Sequence, residues 1–378
     1  MLVKTVFRPD GGLKLLRPVT LGCRPMRLTR HASEGSRDPP IEVLSILYLL
    51  SYVPYATLTR WLATIPYAPL GRSLTGLEEL PAVIVMSGLL TYLFVWLKGW
   101  WREAHSSLVL GRRVPHPTRW TVISGFGAAL MLFTVPLSFT FRGVSIPFMQ
   151  LLMRGDVLIV APLVDLLLGR RVRWYSWIAL GLVAVGLIIT IHARGGLYLP
   201  VLAIVTIVLY TVGYLLRLLM MTRVAKSGDA RASKGYFVEE QLVAIPLALA
   251  GLALLSIFHL GDQGNQLEFG FVRVWASAQL PYLVVLAALL FFISIFAVMI
   301  LLDRRENTFC VPFERSASIL AGLAATYVLA AMNLGALPSD AEVGGAVLLI
   351  LAIALLSLAP RFTAPTPAPV AQSRDASA

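Results

Sequence analysis

Residues 150–160 read QLLMRGDVLIV and sit inside a longer apolar run, VSIPFMQLLMRGDVLIVAPLVDLLLG, residues 144–169. The run has the length of a helix that crosses a bilayer, yet it carries a glutamine, an arginine and two aspartates. A lone Arg or Asp at the centre of a membrane helix costs about 2.5–3.5 kcal/mol on insertion scales. Either the charges are compensated, or the run is not a span, or the cost is kept for function.

Composition bears on whether it is a span. The chain is 57% hydrophobic and 14% charged, with a mean hydropathy of +0.78. Globular chains average about 25% charged and about 45–50% apolar residues. The apolar excess recurs in ten blocks near 41–63, 79–97, 119–140, 145–168, 174–192, 197–219, 236–259, 280–302, 308–332 and 341–360. The blocks are continuous rather than alternating, which excludes a β-barrel. The expected fold is an all-α polytopic membrane protein. Short charged turns, GRRVRW and DRREN, join blocks four and five and blocks eight and nine as tight hairpins.

The net charge of +12 invites a nucleic-acid partner, but its placement argues for orientation instead. With the N-terminus inside, 25 Lys and Arg fall on inner segments and four, Arg72, Arg142, Arg194 and Arg273, on outer ones. Positive residues mark cytoplasmic loops, so both termini are expected there. Residues 1–40 read as a disordered basic tail, with a targeting segment or a true start at Met26 as other readings. Residues 361–378, rich in Pro, Ala and Ser, read as a second disordered tail. Cys23 and Cys310 fall inside or in the membrane, so no disulfide is expected. The two Cys and five His show no metal-ligand spacing, and no cofactor is expected.

An offset of 161 residues lays Arg154 on Arg315 and Glu78-Glu79 on Glu239-Glu240. The same offset lays VISGFGAALMLFTVPLSF of block three on LVVLAALLFFISIFAVMI of block eight. Block five then matches block ten after an insertion of about four residues. The expected organisation is repeat 1 over 41–193 and repeat 2 over 194–360. Each holds five spans, and an odd number inverts the second copy, as in many secondary transporters with midplane sites between the copies.

Ten spans in two copies of five, with MRGDVLIVAPLVDLLLGRRVRWYSWIALGLVAVGLIIT at 153–190, resemble the drug/metabolite transporter superfamily. The span, short GRR turn, aromatic and Gly-spaced span are similar to EamA-like and nucleotide-sugar-transporter-like members. FMQLLMRGDVLIV is similar to the Q-x-x-x-R-G segment of some eukaryotic solute carriers of that superfamily, and PFERSASILAGLAATYVLA resembles the second family copy. The resemblance covers roughly residues 41–360. It implies a permease whose central cavity is lined by the third, fourth, eighth and ninth spans, among others, with Arg154 and Arg315 at that cavity.

The residues lead to a similar place. At about 100° per residue, Gln150, Arg154, Ala161 and Asp165 share one face of the fourth span. Arg315, Ser318, Gly322 and Thr326 share one face of the ninth. Asp156 points nearly opposite Arg154, and Glu314 splays away from Arg315, so neither arginine is expected to be paired locally. Two accounts stand. Each arginine finds a carboxylate on another helix (Asp156, Asp165 or Glu314) and fixes packing, or both face a wet cavity and bind an anionic group. Arginine suits the second, with its permanent charge and planar fork. The candidate substrate set is Arg154, Arg315, Gln150, Asp156, Glu314 and Ser318.

The glutamate pairs offer gates. Glu79 at the outer end would pair with Arg60 or Arg142, and Glu240 at the inner end with Arg217 or Arg304. Acids in a first helical turn are also favoured by the dipole alone, by about 0.3–1 kcal/mol. Gly125, Gly127, Gly181, Gly186, Gly344 and Gly345 allow close helix approach.

Three function classes follow: a secondary transporter of a small polar or anionic metabolite, a lipid flippase on the same fold, and an intramembrane enzyme. No H-E-x-x-H, no G-x-S-x-G with a histidine partner and no P-loop occurs, which argues against the enzyme and against ATP drive. The expected partners are a small-molecule substrate and the lipid bilayer, with homodimerisation left open and no nucleic acid. The expected location is a bacterial inner membrane or cell membrane.

Overall fold

Helices occupy the hydropathy blocks wherever these are described, the fourth block only over Ile146–Gly155 and Val160. The structure, a computed structural model, describes residues 40–67, 71–109, 112–141, 143–155, 160, 174–193, 195–196, 198–224, 230–259, 261–302 and 307–363. Residues 1–39 and 364–378 of the expected tails, with Asp156, Asp165, Arg142 and Arg304, lie outside the described residues, while residues 361–363, expected in the C-terminal tail, continue the last helix instead.

The described helices are α1 (Ile41–Leu62), α2 (Gly76–Leu97), α3 (Arg119–Ser138), α4 (Ile146–Gly155), α5 (Trp174–Ala193), α6 (Val201–Val224), α7 (Ala230–Ile257), α8 (Gly261–Glu268), α9 (Leu280–Leu301), α10 (Asn307–Ala331) and α11 (Asp340–Thr363). Six of them, α1, α2, α3, α6, α7 and α9, are long and apolar enough to cross a membrane. Among the described residues the chain is all-α apart from one small hairpin, and its long apolar helices make it a multi-pass membrane protein. Helices α6 and α7 run about a turn or more beyond their apolar blocks at the basic ends. Polar residues can continue a helix into water, and hydropathy does not register them.

Local chemistry sets the helix starts. Thr75 accepts from the Glu78 backbone N–H while the Glu78 carboxylate accepts from Thr75 N at 2.9 Å, a reciprocal cap on α2. Thr118 and Thr121 form the same arrangement on α3. Prolines 54, 81, 136 and 246 lie within helices, which membrane helices tolerate when neighbours re-satisfy the freed carbonyls. The helix α1 shows how faces are divided. Val43, Ile46, Leu47 and Leu50 are exposed, while Ile41, Leu44, Tyr48, Tyr52 and Tyr55 are buried. An apolar outer face and a phenol-bearing inner face suit a helix with lipid on one side and polar partners on the other.

Helix α3 packs against α6 and α7, and α9 packs against α1 and α2. Helix α5 packs on α11, and α10 touches α1, α4 and α11. Two of these contacts need glycine. A Cβ on Gly127 would sit 2.4 Å from the Gly213 carbonyl oxygen, where α3 meets α6, and one on Gly186 would sit 3.3 Å from the Gly345 carbonyl oxygen, where α5 meets α11. Gly181 and Gly344 have open space around them, so the close-approach reading holds for only part of the set.

A two-stranded antiparallel hairpin, β1 (Ser106–Val109) and β2 (Arg112–Pro115), follows α2 and is absent from the sequence expectations. Glu239 of α7 clamps both of its ends. It accepts from the backbone N–H and ring Nδ1 of His105 at 2.9 and 2.6 Å, from Thr118 N at 3.2 Å and from Thr121 Oγ1 at 2.9 Å.

Candidate functional site

Helix α4 carries Gln150 and Arg154 one turn apart, so both project from one face. Arg154 is 3% exposed. Its Nε donates to Gln150 Oε1 at 3.1 Å, its Nη2 to Tyr52 Oη at 2.9 Å, and its Nη1 to Tyr210 Oη. All three acceptors are neutral oxygens. Helix α10 brings Glu314 and Arg315, and Gly322 lets it lie against Gln150, where a Cβ would be 3.1 Å from Gln150 Cγ.

Arg315 is fully buried, at 0% exposure. Its Nη1 donates to the same Tyr210 oxygen that Arg154 uses, and its guanidinium lies 3.8 Å from the centroid of the Tyr214 ring, a cation–π contact. Its Nε is 3.3 Å from Glu314 Oε2. This corrects the expectation that Arg315 has no local partner. The two Cα–Cβ vectors splay, but the arginine stem is long enough to fold back to its neighbour. Glu314 accepts from Tyr48 Oη at 2.7 Å through its other oxygen.

Hydrogen bonding is incomplete here. Arg315 Nε and Nη2, Gln150 Nε2 and Glu314 Oε2 are buried without a hydrogen-bond partner among the described residues. Buried polar groups are seldom left so. A cavity of about 80 Å³ opens beside them, lined by Tyr48, Tyr52, Arg154, Tyr214, Arg217 and Glu314 and by apolar side chains of α3 and α9. Arg154, Arg315 and Glu314 together carry one net positive charge. Arg154 and Glu314 thus border the cavity, while Arg315 lies behind them. Gln150 supports Arg154. Ser318 is buried and donates to the Arg315 carbonyl at 2.8 Å, so its hydroxyl is spent within its own helix.

The gate residues divide. Arg217 and Glu240 form a bidentate pair, Nε to Oε1 at 2.9 Å and Nη2 to Oε2 at 2.8 Å, with Ser124 Oγ also donating to Oε1 at 2.6 Å. At the other end Arg60 donates instead to the carbonyls of Phe139 (3.1 Å), Phe141 (2.5 Å) and Val144 (2.9 Å), tying the α3–α4 connection to α1. The cation that pairs with a glutamate there is Arg72, which grips Glu78 at 2.8 and 2.5 Å. Those hydrogen bonds push the Arg72 guanidinium above its ordinary range. Glu79 Oε2 is buried without a hydrogen-bond partner.

The tyrosines are what the sequence reading missed. Tyr48 and Tyr52 on α1, and Tyr210 and Tyr214 on α6, are each one turn apart, and the second pair follows the first by 162 positions. That spacing, one residue from the arginine offset, is the signal that could have found them.

No family model matches the chain, and no curated protein does. Twenty-one chains of solved structures match. One of them, described only as a crystal structure of a protein, is 15% identical with a TM-score of 0.50, covering 86% of this chain and 99% of its own. At that identity the likeness speaks for the fold alone.

Proposed function

We propose that this protein is a secondary transporter of a small anionic metabolite, working by alternating access around the cavity that Arg154 of α4 and Glu314 of α10 border. The observation that carries the reading is the convergence of Arg154 and Arg315 on one tyrosine oxygen beside that cavity. Two buried cations, of which Arg315 keeps Nε and Nη2 without a hydrogen-bond partner among the described residues, and one net positive charge form an environment that an incoming carboxylate or phosphate would complete. The rings of Tyr210 and Tyr214 lie against the guanidinium groups and hold them in place.

The finer architecture belongs to the same proposal: ten spans, two inverted copies of five, both termini cytoplasmic. The packing supports it. Shifting each helix to its counterpart in the other copy turns the α3 contacts with α6 and α7 into the α9 contacts with α1 and α2, and pairs α2 with α7, α4 with α10 and α5 with α11, all of which touch. The sequence resemblance to the drug/metabolite transporter superfamily agrees with this reading, and a bacterial inner or cell membrane location belongs to the same proposal.

The test is reconstitution into proteoliposomes and uptake of a panel of labelled carboxylates and phosphate esters, with and without a pH gradient. Accumulation above protein-free vesicles is expected for at least one anion, reduced in Arg154→Gln. Scrambling of a fluorescent phospholipid with no anion uptake would overturn the reading in favour of a flippase.

A further inference from the structure

We propose that Glu79 is a proton-binding site, occupied by a proton in the conformation seen here. Glu78 and Glu79 are adjacent but differently used. Glu78 caps α2 and holds Arg72. Glu79 is 2% exposed, and its Oε2 has no hydrogen-bond partner among the described residues.

A carboxylate buried at the end of a membrane helix must be neutralised by a cation or by a proton. The described cations at this end are engaged elsewhere. Arg72 is held by Glu78, and Arg60 donates to three carbonyls. Arg273, on the single π-helical turn Phe269–Arg273 that packs against α2, is exposed. Other titratable groups at this end include Tyr55 on α1, Tyr67, whose hydroxyl accepts from Ala278 N, Glu78 itself, Tyr282 on α9, which lies against Trp61, Asp262 and Glu268 on α8, the latter beside His259, and Asp340 and Glu342 in the first turn of α11; none of them is a cation set against Glu79. The halves of α3, α7 and α9 at this end contain no charged residue. No described cation is left for Glu79.

Its counterpart 161 positions on shows the alternative solution. Glu240 is as deeply buried and carries Arg217, bidentate, with Ser124 and Tyr236 in support. The position 161 residues before Arg217 is Ala56, which is small, apolar and buried. One end of the bundle neutralises its glutamate with arginine, and at the other no arginine among the described residues pairs with Glu79. On the transporter reading, opening this end to the outer solution would wet Glu79 and release its proton there. The proton site itself does not depend on that reading.

The experiment therefore uses no substrate. Infrared difference spectra between neutral and strongly alkaline pH are recorded on the purified full-length protein in detergent. The wild type should show a protonated-carboxyl band at neutral pH that Glu79→Gln loses and Glu240→Gln keeps. Should Glu79→Gln fail to accumulate as a monodisperse protein, Glu79→Asp should shift the band rather than delete it. A band that is absent in the wild type, or unchanged in these Glu79 variants, overturns the proposal.

Discussion

Arg154 and Arg315 donate to the same oxygen, the hydroxyl of Tyr210. The two residues are 161 positions apart on helices of different halves of the chain, and a single phenol from a third helix joins them. The like charges are held together by neutral acceptors and ring faces, with Glu314 the one carboxylate within 4 Å of either guanidinium among the described residues. Such an arrangement keeps positive potential at the cavity instead of cancelling it.

Replacing Arg154 separates charge from shape. Arg154→Lys keeps the cation but loses the planar fork that reaches Gln150, Tyr52 and Tyr210 at once. A hydrogen bond to a charged group is worth about 1.5–3 kcal/mol, so apparent affinity for the transported anion should fall roughly tenfold or more in Arg154→Lys and further in Arg154→Gln. Folded yield should stay near that of the wild type. Normal uptake by Arg154→Gln, or its failure to fold at all, would make the residue a packing element.

Tyr210→Phe removes one oxygen and leaves the ring. Two buried guanidinium groups then lose an acceptor together, and a buried donor without a partner costs about 1–3 kcal/mol. A destabilisation of about 2 kcal/mol is expected, read as a lower thermal midpoint of the detergent-solubilised protein. Added substrate anion should restore more of it in the variant than in the wild type. An unchanged midpoint would mean that the shared oxygen contributes little.

How much of this was legible in the sequence depends on the chemistry of each residue. Arg154, Arg315 and Glu314 stand out because charge in an apolar run needs a reason, and the structure brings all three together. Arg217 with Glu240 was legible for the same cause. The carbonyl partners of Arg60 were not legible, because sequence discloses that a half-buried cation wants acceptors, not whether they are carboxylates or carbonyls. The tyrosines were hidden because a phenol in a membrane helix also fits packing or an interfacial belt, so only their repeat spacing marks them. The hairpin at 106–115 was hidden because four-residue strands held by a distant glutamate carry almost no local pattern.

Topology is open to a direct check. With Cys23 and Cys310 replaced by serine, a cysteine at Asn265, on α8, should react with an impermeant reagent added to intact cells. One at Ser107, on the hairpin, should react only after permeabilisation. The reverse pattern would sink the orientation drawn from the distribution of Lys and Arg.

The Arg217–Glu240 pair should behave as a unit. Removing one partner strands a buried charge, at a cost of about 3–5 kcal/mol. Arg217→Met and Glu240→Leu should each lower the thermal midpoint strongly. The double variant, which buries no charge at this position, should be less destabilised than the sum of the two. Additive effects in that cycle would show that the pair is not coupled, whatever its geometry.

Glycine substitutions test the packing of α3 against α6. A Cβ at Gly127 would stand 2.4 Å from the Gly213 carbonyl oxygen, which belongs to backbone and has no rotamer to yield. Gly127→Ala must therefore push α3 away from α6, and overpacking of this kind costs about 1–3 kcal/mol. The helix α6 carries Tyr210, Tyr214 and Arg217, so the displacement should also disturb the oxygen shared by the arginines and weaken anion binding. Gly181→Ala is the control. It lies in a helix with nothing within 4 Å of the added atom, and losing a mid-helix glycine favours the helix by up to about 1 kcal/mol. Thermal midpoints should therefore move in opposite directions, down for Gly127→Ala and level or up for Gly181→Ala. Equal tolerance at both positions would mean that α3 and α6 are not in backbone contact.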